Sequence, residues 1–261
     1  MTGISRMDLN SEGQPDLTLV VPVYGNAATL NKLQSSLQEV LRSEDITYEL
    51  LFVNDAGPDH SLKILLDMLN QHAEIVVVNL HYNIGQHAAV LHGLRFARGR
   101  YCLIMDADLQ DPVESILVLM RQSFHFQAVF AGRRGQYQGR LRMMSSYCYK
   151  RLLHSLTGLP VDAGIFVLME RQLVETLLKM PVRIPWINVM VGLSGLSMCS
   201  IPVKRNTRIE GKSAYSSWGR IRSALRGIYC VLTYRYWQPK KPYLETLKSD
   251  PVKWVRRSKA L

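Results

Sequence analysis

Closely spaced cysteines are lacking in this sequence. Its 261 residues include four cysteines, at positions 102, 148, 199 and 230, and none of them forms a Cys-x-x-Cys pair. This spacing argues against a zinc site and favours reduced thiols in a cytosolic setting. The first 16 residues are polar and lack the apolar core of a signal peptide. We therefore expect a cytoplasmic protein whose folded part begins after a flexible N-terminus, residues 1–16.

An uninterrupted transmembrane segment is lacking as well. Residues 184–203 form a 20-residue stretch without charge, which is the length that a spanning helix needs. Two prolines, two glycines, three serines and an asparagine interrupt it. The stretch therefore predicts a buried helix over about 185–195 and a strand over about 198–203.

Acidic residues are scarce in the second half of the chain. Residues 1–130 carry eight basic and 15 acidic side chains, a net charge of −7, whereas residues 131–261 carry 24 and six, a net charge of +18. Such asymmetry indicates a half that meets an anionic partner, either nucleic acid, an anionic membrane or a phosphorylated substrate. A nucleic-acid module is the weakest of the three, because it leaves the acidic strand ends of the first half unexplained.

A glycine-rich phosphate loop is also absent, since the sequence contains neither G-x-G-x-x-G nor a Walker motif. Any phosphate would then be held by a metal ion and basic side chains. What the first half does contain is a regular alternation of apolar strands and amphipathic helices. The strands are predicted at 17–23, 48–53, 75–80 and 101–105, and the helices at 27–43, around 62–69 and at 86–98.

Repeated strand–helix units of this length predict an α/β, Rossmann-like, mostly parallel sheet flanked by helices. The carboxyl ends of parallel strands meet at one edge, where ligands of open α/β sheets bind. The polar residues expected at that edge are Tyr24, Asp55, Asp59, Asn83, Asp106 and Asp108.

The stretch YCLIMDADLQDPVE, residues 101–114, joins a buried strand to three carboxylates. Asp106 and Asp108 are two residues apart, so in an extended chain their side chains leave on the same face. Paired carboxylates of this kind hold Mg²⁺ or Mn²⁺ together with substrate phosphates. The alternative is a solvated turn in which Asp111 and Pro112 begin a helix.

Basic loops dominate the second half. Six basic residues lie in or near the segment after a strand at 127–131: Arg133, Arg134, Arg140, Arg142, Lys150 and Arg151. A second strand is expected at 165–169, followed by a helix to about residue 180. After residue 203, a further basic cluster predicts an anion site: Lys204, Arg205, Arg208 and Lys212, near Ser213 and Tyr215. Residues 217–237 then predict a basic amphipathic helix that lies either in a membrane interface or over the core.

Five segments, in this order and spacing, resemble family 2 glycosyltransferases: LTLVVPVYGN, LLFVNDAGPDHS, HYNIGQHAAVLHG, YCLIMDADLQDPVE and RIEGKSAY. They are most similar to the polyprenyl-phosphate branch, the dolichyl-phosphate mannose synthases and undecaprenyl-phosphate glycosyltransferases. The resemblance implies a GT-A fold over residues 17–237, with a nucleotide-sugar half, 17–131, and an acceptor half, 132–237. A basic tail, 238–261, follows.

The resemblance also implies roles for matching residues. The nucleotide-sugar donor would be bound by Pro22, Tyr24, Asp55, Asn83, Gly85 and Asp106. Mg²⁺ or Mn²⁺ would be bound by Asp106, Asp108 and Gln110. The acceptor phosphate would be bound by Arg133, Arg142, Ser145, Lys212 and Ser213. Asp106, Asp108 and Arg208 would be the catalytic residues.

The chain departs from the family pattern at three places. The usual Tyr-Asn-Glu is Tyr24-Gly25-Asn26, and the usual pair of aspartates is Asn54-Asp55, which bears on donor choice. The usual Ser-Lys-Tyr is Ser213-Ala214-Tyr215, so that Lys212 would have to supply the missing cation. No transmembrane helices follow the catalytic region, unlike in many relatives. Membrane contact would then rest on the basic helix, the tail or a membrane-anchored partner.

The implied reaction is an inverting transfer of a sugar to polyprenyl phosphate at the inner face of a membrane. A phosphate acceptor is already anionic at pH 7 and needs no general base. A soluble transferase that acts on a sugar hydroxyl in polysaccharide assembly is the alternative. It would need a base, and Asp162 is the residue that could serve.

Overall fold

The structure is a computed structural model that describes residues 13–133, 140–206, 217–237, 239–247 and 249–258. Side chains are not described at 133, 140–147, 217–218 and 220–221. The first half contains β1 (Leu17–Val23), α1 (Ala27–Ser43), β2 (Tyr48–Asn54), α2 (Ser61–Gln71), β3 (Ile75–Leu80), α3 (Gln86–Leu94), β4 (Tyr101–Ile104) and α4 (Ser115–Gln122). The second half contains β5 (Ala128–Arg133), α5 (Arg140–Thr157), β6 (Val167–Glu170), α6 (Arg171–Lys179), α7 (Ile187–Leu193), β7 (Met198–Val203), α8 (Ser217–Tyr236), α9 (Tyr243–Thr246) and β8 (Val252–Arg257).

The strands form one eight-stranded sheet in the order β7-β5-β6-β4-β1-β2-β3-β8. β1 pairs in parallel with β2 and β4, β2 with β3, and β5 with β7. β6 and β8 run antiparallel to their neighbours. Because β5 and β4 both run opposite to β6, the carboxyl ends of β1 to β5 and of β7 share one edge of the sheet.

Hydrophobic side chains are buried on both faces of the sheet, in two clusters. Alternate residues of one strand enter different clusters: Val20 of β1 belongs to one, and Leu19 and Val21 belong to the other. Burial on both faces is why these strands are near-continuous apolar runs rather than alternating ones. The mostly parallel sheet with flanking helices predicted from the sequence is therefore confirmed.

The uncharged stretch 184–203 folds as the predicted short helix and strand, α7 and β7. Within the part of the chain that the structure describes, no helix is both long and apolar enough to cross a membrane. α8 forms as predicted from residue 217 onward.

Three elements differ from the sequence-based expectation by more than two residues. α3 ends at Leu94 rather than at 98, and α4 begins at Ser115 rather than at Pro112. The third difference is larger, because residues 252–257, assigned above to a tail, form β8 on the edge of β3. The sheet therefore continues beyond residue 237.

Candidate active site

The common edge of the parallel strands gathers the loops that the sequence singled out. The loops after β1, β2, β3 and β4 carry Tyr24, Asp55, Asn83 and the 106–111 segment. β5 and β7 end at the same edge, and Arg133 closes β5. Arg142 and Ser145 belong to α5, with side chains that are not described. Three predicted residues lie outside the described residues: Arg208, Lys212 and Ser213.

The acidic loop after β4 turns sharply. Leu109 has a φ of 59°, which is uncommon for a residue with a side chain, and it is 9% exposed. Asp108 accepts a hydrogen bond from the backbone N–H of Gln110, with an N···Oδ1 distance of 3.2 Å. Backbone held in a sparsely populated region is concentrated at functional sites, where surrounding contacts maintain it. The positive φ of Leu109 and the Asp108–Gln110 bond thus shape the turn that follows Asp106.

Asp106 is held from two sides. The side-chain amide of Gln86, the first residue of α3, donates to Asp106 Oδ1 over 2.5 Å. Arg205, which follows β7, places Nη2 at 3.6 Å from Asp106 Oδ2. Sequence reasoning missed the contact of Gln86, although its place directly after Asn-x-Gly at the start of a helix was a signal.

Asp111 pairs with Arg205. The Arg205 Nε lies 2.7 Å from Asp111 Oδ1, and the Asp111 side chain is 2% exposed. The backbone N–H of Asn206 also donates to the carbonyl of Gln110, at 2.9 Å. The helix expected from Pro112 begins at Ser115, and Asp111 is buried rather than solvated and joins two loops of the site.

Asp55 ties the end of β2 to the loop after β3. Its two carboxylate oxygens accept the backbone N–H groups of Ile84 and Gly85, at 2.7 and 3.0 Å. Burial raises the pKa of Asp55 to about 6, although both hydrogen bonds act in the opposite direction. Gly85 has a φ of 85°, a conformation that glycine adopts without steric cost.

The loop after β1 is anchored to the same region. Thr29, in the first turn of α1, donates its hydroxyl to the carbonyl of Ala107 over 2.6 Å. Asp59 accepts the backbone N–H of Ala27 at 2.9 Å. Tyr24 is 54% exposed at the rim. Pro22 is buried within β1 and Asn83 is exposed, so these predicted donor residues lie at different depths.

His87 connects the site to the second half of the chain. Its ring stacks on Trp186 with centroids 3.9 Å apart, and its Nδ1 accepts the backbone N–H of Ile187 at 3.3 Å. Burial and the nearby guanidinium of Arg226 lower the pKa of His87 to about 3. The ring is therefore neutral at pH 7, and α3, α7 and α8 meet beside the residue that holds Asp106.

Asp162, the residue that could serve as base if the acceptor were a hydroxyl, lies against β5. A side chain at Gly132 would clash with the carboxylate of Asp162 and with the hydroxyl of Ser200. Glycine at position 132 therefore allows this close approach. Two strands away, β4 carries the acidic loop.

The donor set of the acidic loop suits a hard divalent cation. Asp106 and Asp108 offer carboxylate oxygens, which Mg²⁺ and Mn²⁺ prefer. Among the described residues, no group of three or more His, Cys, Asp or Glu side chains converges. A cation here would therefore be completed by phosphate and water oxygens, which is the usual arrangement for Mg²⁺ in nucleotide sites.

Comparison with known proteins matches residues 18–178 to the model of glycosyl transferase family 2. The chain belongs to this family. It is 30% identical over 229 residues to an uncharacterized glycosyltransferase of Synechocystis, covering 85% of this chain and 72% of that protein. It is 28% identical over 221 residues to the undecaprenyl-phosphate 4-deoxy-4-formamido-L-arabinose transferase of Pseudomonas paraeruginosa, covering 83% of this chain and 65% of the relative. The recognition made from the five sequence segments is thus confirmed.

Solved structures establish the fold of this family 2 glycosyltransferase. The mannosyl-3-phosphoglycerate synthase of Rubrobacter xylanophilus superposes with a TM-score of 0.62 at 17% identity, covering 83% of this chain and 73% of the other. A mannosyltransferase of Pyrobaculum calidifontis, solved with GDP-Man and Mn²⁺, gives 0.60 at 20% identity, covering 90% and 68%. The predicted GT-A fold is confirmed.

Proposed function

We propose that this glycosyltransferase transfers a sugar, with inversion, from a nucleotide-diphosphate sugar to a polyprenyl phosphate, undecaprenyl or dolichyl, at a membrane surface. The observation that carries the proposal is the shared edge of the sheet, where Asp106 and Asp111 of the acidic loop contact Arg205, which follows β7. The carboxylates suit a cation, and the guanidinium suits the charge of a diphosphate. The relative in Pseudomonas paraeruginosa, named for an undecaprenyl-phosphate acceptor, supports this choice.

The donor half would bind through residues of the first four loops: Pro22, Tyr24, Asp55, Asn83, Gly85 and Asp106. Asp106, Asp108 and Gln110 would hold Mg²⁺ or Mn²⁺, which when bound supplies charge stabilisation for the departing nucleoside diphosphate. Gln86 orients Asp106 for that role through its 2.5 Å hydrogen bond. Preorganised contacts of this kind stabilise charge that develops in the transition state.

The acceptor phosphate would be bound by Arg133, Arg142, Ser145, Lys212 and Ser213, with Arg208 catalytic between the two phosphate sites. A monophosphate has a second pKa near 6, so it is already anionic and nucleophilic at pH 7. The protein then needs no general base at the acceptor, and arginine side chains suffice to orient it.

The outward face of α8 supports membrane contact. Leu225, Tyr229 and Tyr236 follow helical spacing and are 60%, 37% and 70% exposed. Arg222 and Arg226 are exposed on the same helix. A covered core helix would bury such apolar side chains, whereas apolar and aromatic residues beside arginine suit the interface of an anionic bilayer. We therefore propose peripheral binding to the inner face of the membrane through this face.

A transfer assay tests the reaction. Purified protein is incubated with radiolabelled UDP- or GDP-sugars, Mn²⁺ and undecaprenyl phosphate, and the label is followed into the organic phase. The expected product is a lipid whose sugar is released by mild acid, as a glycosyl phosphate is. Asp162→Asn should retain activity because a phosphate acceptor needs no base. An acid-stable product that depends on Asp162 would contradict the proposal and favour a hydroxyl acceptor.

Co-sedimentation with vesicles tests the membrane face. Vesicles that contain phosphatidylglycerol should bind the protein, and binding should weaken with salt and with pure phosphatidylcholine. The variant Leu225→Ser, Tyr229→Ser should lose most of the binding. Lys63→Ala, on the exposed surface of α2, is the matched control. Equal binding by all three proteins would exclude α8 as the contact.

A further inference from the structure

Arg205 lies between two carboxylates of the site. Its Nε lies 2.7 Å from Asp111 Oδ1, and its Nη2 lies 3.6 Å from Asp106 Oδ2. The three side chains are little exposed: 14% for Arg205, 2% for Asp111 and 21% for Asp106. Among the described residues, Nη2 has no hydrogen-bond partner. The edge of the guanidinium formed by Nε and Nη2 thus meets both carboxylates: Asp111 fixes Nε, and Nη2 faces the carboxylate on which the donor site depends.

The position of this charge is set by Asp111. A guanidinium stays protonated at all working pH values, and a buried carboxylate is costly unless it is paired. The bond from Asn206 N–H to the Gln110 carbonyl, 2.9 Å long, is a second tie between the same two loops. Together these contacts hold a permanent positive charge beside Asp106.

A positive charge at this place affects two ligands in opposite ways. It repels a divalent cation that approaches Asp106 alone, because interactions between charges at a poorly exposed site are weakly screened. It attracts the phosphates of a nucleotide, whose charge in turn offsets the repulsion. The cation and the nucleotide should therefore bind better together than separately, which is a coupling free energy between two ligands.

We infer that Arg205, held by Asp111 beside Asp106, is a positioning residue that makes binding of the divalent cation depend on binding of the nucleoside diphosphate. The inference rests on the proposed donor site and adds to it a residue for which the resemblance gave no role. Arg205 acts through Asp106 and the phosphates rather than on the reacting atoms. Its effect is therefore measurable without any acceptor.

Two substitutions at the same ion pair should shift cation affinity in opposite directions. The affinity for Mn²⁺ alone is measured by the paramagnetic resonance signal of the free ion. Affinities for UDP and GDP are measured by calorimetry with and without Mn²⁺. Arg205→Gln should bind Mn²⁺ alone at least about fivefold more tightly than the wild type does. In this variant the affinity for UDP or GDP should no longer rise by that factor when Mn²⁺ is added. Asp111→Asn should bind Mn²⁺ alone more weakly, because Arg205 is then free to pair fully with Asp106.

A purely structural role would weaken Mn²⁺ binding in both variants, and that result would overturn the inference. Arg205→Lys is the charge-retaining control and should bind Mn²⁺ as the wild type does, so the comparison with Arg205→Gln stands even if Asp111→Asn does not fold. Circular dichroism checks the fold of each variant. If the wild type transfers sugar but its Mn²⁺ and nucleotide affinities are independent of each other, the inference about Arg205 is disproved and the proposed function is not. A wild type that shows the coupling but forms no polyprenyl-linked product would disprove only the proposed acceptor.

Discussion

Gln86 donates its side-chain amide to Asp106 across 2.5 Å, so the first residue of α3 orients a carboxylate that follows β4. The two residues are 20 positions apart, and each stands at the edge where the parallel strands end. The carboxylate is thereby restricted on one oxygen while Arg205 faces the other.

Replacement of Gln86 should lower the rate of transfer. Gln86→Ala removes the donor and leaves Asp106 free to turn toward Arg205, and a lost hydrogen bond to a charged group costs about 1.5–3 kcal/mol. We expect kcat/KM for the nucleotide sugar to fall about 10- to 100-fold, with the melting temperature little changed. Gln86→Glu keeps the shape but places a second carboxylate beside Asp106, and it should be at least as impaired. Equal kcat/KM in wild type and Gln86→Ala would show that the bond has no functional role.

Asp108 should be required for transfer. In Asp108→Asn one of the two carboxylates is lost, and we expect kcat to fall by about 10² or more, which is typical for removal of a group that stabilises transition-state charge. Excess chelator should abolish the wild-type activity, and Mn²⁺ should restore it. Asp67→Asn, on the exposed surface of α2, is the matched control and should behave as wild type. Undiminished activity in chelator would remove the metal from the proposal.

The neutral state of His87 should make stability depend on pH. Its pKa is lowered to about 3 in the folded protein, whereas an unfolded histidine titrates near 6.5. Between these values the unfolded chain binds a proton that the folded chain does not. This contribution to stability is thus complete above pH 6.5 and falls on acidification, by up to about 1.4 kcal/mol per pH unit.

His87→Gln can accept the Ile187 N–H without titrating. Urea unfolding at pH 7.5, 6.5, 5.5 and 4.5 should give a flatter pH dependence for this variant than for the wild type. His125→Gln, which changes a surface histidine, should retain the wild-type slope. Parallel curves for wild type and His87→Gln would mean that the ring is not kept neutral by its surroundings.

The elements that the sequence placed best have strong local signals, and they include the helix α1 at 27–43, the buried strands β1 and β3 and the partly buried strand β7. β1, β3 and β7 begin and end where their apolar runs do, at 17–23, 75–80 and 198–203. The order of polar loops at the strand ends was likewise predictable, because parallel strands impose a common edge. The local hydrophobic pattern was therefore enough to predict the parallel strands and the position of the acidic loop after β4.

The missed features depend on partners that are distant in the chain. β8, VKWVRR, has as many basic as apolar residues and lies in a basic segment, and it pairs as a strand with the edge of β3. The pair Arg205–Asp111 joins positions 94 residues apart, so neither residue carries a local sign of the other. Asp111 next to Pro112 has the composition of a helix start, and α4 does begin three residues after Pro112, but nothing local indicates the buried ion pair with Arg205.

Alanine at position 132 should disturb the contact between β5 and Asp162. The added methyl group would clash with the Asp162 carboxylate and the Ser200 hydroxyl, and overpacking of this kind costs about 1–3 kcal/mol. Gly132→Ala should therefore unfold at lower urea concentration. Asp162→Ala in the same chain should recover part of the loss by removing one clashing group. If the double variant is no more stable than Gly132→Ala, the clash with the Asp162 carboxylate is not the cause of the lost stability.

Glu49, on β2, ties β8 to the inner strands of the sheet. Its side chain is 4% exposed, and Oε2 pairs with Arg257 Nη1 at 2.5 Å and with Arg98 Nε at 3.2 Å. Oε1 accepts the hydroxyl of Thr18 and the backbone N–H of Arg98, both at 2.7 Å. Removing one partner of a buried ion pair costs about 3–5 kcal/mol, because the other charge is left uncompensated.

Glu49→Ala should cost less than that, about 1–3 kcal/mol, because the two arginines left behind are 57% and 33% exposed and the main loss is the acceptor of the buried Thr18 hydroxyl. Arg257→Ala should cost less, because Arg98 still compensates the carboxylate and Arg257 is already 33% exposed. Arg256→Ala is the matched control on β8: this side chain is exposed and stacks on Trp254 at 4.9 Å, so its loss should cost under about 1 kcal/mol. Free energies of unfolding in urea decide the order. If Arg257→Ala is no worse than Arg256→Ala, β8 is held by its backbone pairing with β3 alone, and the pair with Glu49 adds nothing to stability.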